Sequence, residues 1–135
     1  MNNWIMVIPS FIYNRVLAEF SKTISSEYGM TNSNFSTTDS LNKNAIFPFV
    51  YIHLLPGTEE GETLEGQTVN GGLFTFQIDV YDNQSASRAR TIMGEIVRIM
   101  KEMQFSIVAM PEFEYADTHR CTARFRRVIG NVDVI

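Results

Sequence analysis

Leu73-Phe-Thr-Phe-Gln-Ile-Asp-Val-Tyr81 decides how the rest of the chain is read. Phe74, Phe76, Ile78 and Val80 alternate with Thr75, Gln77 and Asp79, the period of a strand with one face in the core and one outside. The strand leads into a helix. Asp82-Asn-Gln-Ser-Ala-Ser87 supplies short polar side chains that accept the first free N–H groups of a helix. Ala89, Ile92, Met93, Ile96, Val97, Met100 and Met103 then recur at helical spacing, so one amphipathic helix is predicted over 84–104.

Working outward, Phe105, Ile107 and Ala109 open another strand, which Pro111 interrupts and Phe113 and Tyr115 continue on the same inward face. His119, Cys121, Ala123 and Phe125 alternate with Arg120, Thr122, Arg124 and Arg126. The two runs form a hairpin turning near 116–118. For both apolar sets to share a face, paired positions must sum to an even number, as in Phe113 with Cys121 and Glu114 with Arg120. That requires a three-residue turn or a bulge, and it leaves Glu112 and Glu114 outside beside Arg120, Arg124 and Arg126.

Upstream, Phe11, Ile12, Val16, Leu17, Phe20, Ile24 and Tyr28 form a helical stripe that follows Pro9-Ser10 and stops at Gly29, a preferred residue just past a helix end. The Ser-, Thr- and Asn-rich run 30–44 reads as a loop. Ile46 to Leu55 is nearly all apolar and reads as a strand buried on both faces, with Pro48 near its start and Pro56-Gly57 at its end. Five glycines and the glutamates Glu59, Glu60, Glu62 and Glu65 then fill 57–72, a long acidic hairpin arm. The element order is α-β-β-α-β-β, an α+β fold. It predicts a single mixed, mainly antiparallel sheet of about four strands with two helices packed on it. The 135 residues, 44% hydrophobic, suit one domain.

Charge is unevenly distributed. The net charge of −4 argues against a nucleic-acid binder. The segment 44–87 holds six acidic residues and no Lys or Arg, whereas from Arg88 onward eight basic residues outnumber six acidic ones. Such asymmetry suits head-to-tail contact between copies. The lone Cys121 forms no internal disulfide, and Trp4 to Ile8 is too short for a signal-peptide core or a membrane span; a reducing cytoplasm is expected.

No residue pattern writes out a catalytic site. The two histidines, His53 and His119, lack metal-ligand spacing, and nothing pairs a nucleophile with a base. An enzyme would need a cleft joining His53, His119 or Cys121 to a carboxylate. The Glu112, Glu114, Arg120, Arg124 and Arg126 set reads first as a cross-strand ladder. Gly94 is expected to permit close packing and the methionines to fill the core. Asn34-Phe-Ser matches the glycosylation pattern but reads as polar loop.

The apolar Phe47-Pro-Phe-Val-Tyr-Ile52 strand, the long arm, Phe74-Thr-Phe-Gln-Ile-Asp-Val-Tyr-Asp82, the Ser85-Ala-Ser-Arg-Ala-Arg90 helix and the closing Thr122-Ala-Arg-Phe-Arg126 together resemble the tail terminator and tail completion proteins of long-tailed bacteriophages. The similarity spans about Phe11 to Val128 and rests on element order. It implies a structural virion protein, not an enzyme, without cofactor or metal. Such a protein forms a homo-oligomeric, hexameric ring that caps the tail tube, meets the head connector and lets DNA pass without specific binding. It would assemble in the host cytoplasm and reside in the tail or neck of the virion, with no membrane contact. Expected subunit or partner contacts are Glu59, Glu60, Glu62 and Glu65 in the arm, and Arg120, Arg124, Arg126, Glu112 and Glu114 on the closing hairpin. A ferredoxin-like binding module with an apolar pocket, or another neck protein, is the alternative.

Overall fold

The structure, a computed structural model, describes residues 4–37, 46–60, 71–115 and 119–130. Helices α1 (Trp4–Glu19) and α2 (Lys22–Tyr28) are followed by a 3-10 turn (Asn32–Asn34) and a short strand β1 (Phe35–Ser36). The hairpin β2 (Phe49–Glu60) and β3 (Gly71–Asp82), the helix α3 (Ala86–Glu102), and the hairpin β4 (Ser106–Tyr115) and β5 (His119–Gly130) complete the order. The five strands form one mixed sheet in the order β1-β2-β3-β5-β4, antiparallel except for β1 beside β2.

The fold class is thus α+β with a single mixed sheet, but it holds five strands and three α-helices rather than about four and two. The fifth strand comes from the run read as loop. Asn34, only 2% exposed, donates its amide to Pro48 O at 2.6 Å and accepts the Thr31 N–H at 2.8 Å, which locks the 3-10 turn and lays Phe35 and Ser36 along Val50 and Tyr51. This burial also closes Asn34 to glycosylation.

The extra helix comes from a break in the stripe 11–28. Ser21 caps α2 by accepting the Ile24 N–H. Its own N–H is donated to Glu95 Oε2 of α3 at 3.0 Å, while Arg98 Nη2 donates to Glu19 O at 3.1 Å. One ion pair on α3 thereby satisfies the last turn of α1 and the first of α2. The hydrogen bond from Arg98 holds the Glu95 carboxyl below its usual range. Helix α1 begins at Trp4, before Pro9 rather than after it, and buries Ile8, Ile12 and Val16; Phe11, expected inside, is 42% exposed. Gly29 ends α2 in the left-handed region at φ 66°, as its position predicted.

Both helical layers lie on one face of the sheet. Phe74, Phe76, Ile78 and Val80 of β3 pack with Ala89, Ile92, Met93, Ile96, Met100 and Met103 and with Cys121, Ala123 and Phe125 of β5, all at most 4% exposed. Ser85 caps α3 by accepting the Arg88 N–H at 3.1 Å, and the buried Asp82 accepts the Ser85 N–H at 2.9 Å. Gln104 ends the helix at φ 66°, with its N–H on Lys101 O and the Phe105 N–H on Met100 O. That is the double closure usually built on glycine. Gly94 does not serve close packing: it is exposed, and a Cβ there would meet nothing within 4 Å.

The strand expected over 46–55 is not buried on both faces, since Ile46 is 47% and Leu54 37% exposed at the thin edge beyond β1. Nor does it end at Pro56-Gly57. A register shift between Leu55 and Thr58 absorbs both residues as a bulge, and pairing resumes through Glu60 with Gly71. The arm is therefore sheet at its base, and Gly72 is needed there because a Cβ would come within 2.8 Å of the Phe74 ring. The remainder of the expected arm, with Glu62 and Glu65, lies outside the described residues.

Candidate functional site

The outward face of the sheet gathers the polar positions of four strands into rows, and no described helix or strand packs on it. The rows follow from register. Phe49, Tyr81, Arg120 and Glu114 stand side by side, then Tyr51, Asp79, Thr122 and Glu112. His53, Gln77, Arg124 and Ala109 come next, then Leu55, Thr75, Arg126 and Ser106.

Asp79 organises the middle of this face. It is 1% exposed although it points away from the helices, because its neighbours close over it. Thr122 Oγ1 donates to its Oδ1 at 2.6 Å, Arg120 Nη2 at 3.2 Å and Gln77 Nε2 at 3.4 Å; His53 Nε2 lies 3.6 Å from Oδ2. A buried carboxylate demands such donors, since desolvation without them costs several kcal/mol. The network continues outward through Gln77, whose Oε1 accepts from Arg124 Nε at 2.9 Å. Its rings are mutually engaged as well. Tyr51 and His53 stack at 4.3 Å with planes 5° apart, and the Arg120 guanidinium sits 5.6 Å over the Tyr81 ring.

The predicted pairing of the closing hairpin holds: Phe113 faces Cys121, Glu114 faces Arg120, and Tyr115 faces His119 across three connecting residues. Two register shifts, at Ile107/Ala109 and Ala109/Glu112, correct the reading of the first strand. Ala109, assigned to the inward face, stands opposite outward Arg124. The ladder expected among Glu112, Glu114 and the three arginines is therefore only partial. Glu112 and Glu114 align with Thr122 and Arg120, and no acidic residue is in register with Arg124 or Arg126.

Glu59 and Glu60 lie at the far end of β2, in register with Gly72 and Gly71, away from the Asp79 row. Cys121 faces the core at 0% exposure, and burial pushes its thiol up to about 11, which removes it as a nucleophile near neutral pH. His53 does meet a carboxylate, as an enzyme would require: its Nε2 lies 3.6 Å from Oδ2 of Asp79, whose Oδ1 accepts from Thr122 and Arg120. Among the described residues no group of three His, Cys, Asp or Glu could hold a metal ion, and no helix is long and apolar enough to cross a membrane. A cleft of about 470 Å³ lies on the other side of the molecule, lined by Leu17, Phe20 and Phe35 below and by Lys22, Ser25 and Thr31 at its rim.

His53 was read only as a histidine without metal-ligand spacing; Asp79, Gln77 and Thr122 were not singled out by sequence reasoning. Their polar alternation on β3 and β5 was visible, but not the adjacency of those two strands, which brings them together. The chain matches no protein-family model and no curated protein.

Proposed function

We propose that this chain is a structural virion protein of a long-tailed bacteriophage, a tail terminator whose ring caps the tail tube and joins it to the head connector. The resemblance in element order motivates the reading, and one observation in the structure carries it. Arg124 and Arg126 stand unopposed on an open sheet face, while the segment 44–87 carries only acidic charge. Two unlike patches of opposite sign are what a closed ring with one repeated heterologous contact needs. In this role the hexamer holds Arg120, Arg124 and Arg126, with Glu112 and Glu114, at subunit or connector contacts. Glu59, Glu60, Glu62 and Glu65 face a neighbouring copy, the tube or the lumen, where carboxylates repel DNA phosphates and leave the DNA free to slide. The protein carries out no reaction and needs no cofactor; it assembles in the host cytoplasm and ends in the neck of the particle.

Immunogold labelling of virions that carry the chain tests this. Label at the head–tail junction is expected. Label elsewhere on the particle, or particles without the chain, would overturn it. A binding module is the second reading, favoured by the 470 Å³ cleft, whose size falls within the range of small-molecule sites.

A further inference from the structure

We infer that the row Arg124, Arg126 and Val128 on β5 is the docking strip for the segment Glu60-Gly-Glu-Thr-Leu64 of a second copy of this chain. The inference deepens the contact role proposed for this face and rests on it.

The strip is built to take anions and then an apolar group. The Arg124 Nε is fixed by Gln77 at 2.9 Å, which holds the guanidinium plane while its two terminal nitrogens carry no bond among the described residues. A planar fork fixed in this way suits a carboxylate. Arg126, also exposed, makes no hydrogen bond or ion pair among the described residues, and its register neighbours are Thr75 and Ser106. Val128, two residues on and 52% exposed, sits in register with Leu73. Arg120 differs, because it is committed to Asp79 and Tyr81.

Residues two apart on one strand face are roughly 6.6 Å apart. An extended segment lying along β5 presents its own alternate residues at the same spacing, so the strip reads acidic-x-acidic-x-apolar. Glu60, Glu62 and Leu64 have that order, within the segment that carries only acidic charge. A nucleic acid fits less well. Its bases stack on open ring faces, whereas here Tyr51 and His53 each have one face taken by the other and Tyr81 has one face under Arg120.

A charge exchange on the full chain, read by analytical ultracentrifugation, tests the inference. The wild-type chain should self-associate with concentration, less so at high salt. Arg124→Glu/Arg126→Glu and Glu60→Arg/Glu62→Arg should each weaken association at least ten-fold with unchanged circular dichroism, and all four changes in one chain should restore it. Failure of the fourfold variant to associate better than either pair overturns the inference. So does a wild-type chain that stays monomeric while a peptide copying residues 58–66 leaves the β5 amide resonances unmoved. Peptide binding seen only after Glu60 and Glu62 become Gln would mean that the segment docks on its own chain, and it overturns the second copy as occupant. A single-stranded oligothymidine that binds β5 more tightly than the peptide overturns it in favour of nucleic acid. None of these results bears on where the chain sits in the virion, so the two readings fail separately.

Discussion

Replacing Asp79 by Ala should destabilise the chain by about 3 kcal/mol. The substitution removes one carboxylate on which Thr122, Arg120 and Gln77 converge, and it takes from the Arg120 guanidinium and the Thr122 hydroxyl the acceptor they share. Truncating one partner of a buried ion pair costs about 3–5 kcal/mol. The Arg120 side chain keeps 31% of its surface in water, which relieves part of the penalty and sets the expectation at the lower end. Asp79→Asn keeps an acceptor for the Thr122 hydroxyl but loses the charge, so about 1.5 kcal/mol is expected. In a chain of this length about 3 kcal/mol corresponds to a fall of roughly 10 °C in melting temperature. Urea and thermal unfolding followed by circular dichroism measure both variants. A double-mutant cycle with Arg120→Ala should return a coupling of about 1 kcal/mol or more. A cost under about 1 kcal/mol for Asp79→Ala, or additive effects in the cycle, would refute the claim that this network holds the open face together.

Gly94→Ala should stabilise by about 0.5–1 kcal/mol in the same assay, because the position is exposed in mid-helix and a methyl group meets nothing there. Gln104→Gly should stabilise by a similar amount, since Gln104 sits at φ 66° where only glycine is unstrained; a loss would show that its side chain contributes more than the backbone costs. Cys121 should resist alkylation at pH 8 until the protein unfolds. Its folded pKa lies above the unfolded one, so the folded state favours the protonated thiol. Stability is then full below about pH 9 and falls as the pH rises toward about 11. The fall should be shallower in Cys121→Ala, and identical slopes would contradict it.

Much of the fold was legible because local patterns agreed with tertiary placement. The alternation 74–80, the Ser85 cap, the α3 stripe and the parity rule for Phe113 with Cys121 all translate into observed burial and register. What escaped depends on partners far along the chain. The α1–α2 break is satisfied by Glu95 and Arg98, 74 or more residues away, and no local pattern at Phe20-Ser21 announces it. Strand β1 exists because Asn34 reaches Pro48 O. Of the site, the outward arginines were readable from period two alone. Asp79 was readable only as a polar position, because Thr122 and Arg120, its shortest donors, sit on β5, and sequence order gives no hint that β5 slots between β3 and β4.

That slotting sets an order of events for a chain made from its N-terminus. Strands β3 and β4 are parallel neighbours once removed, joined through α3 and separated by a gap that only β5 fills. Until His119–Gly130 emerges, β3 and β4 each offer an open hydrogen-bonding edge, and the α3 side chains have only part of their floor. Two open edges in an otherwise collapsed intermediate invite pairing with other chains. A chain cut or stalled just before His119 is therefore an aggregation-prone species. Arg120, Arg124 and Arg126 place three like charges on that last strand, which disfavours its pairing with other chains before it threads into place.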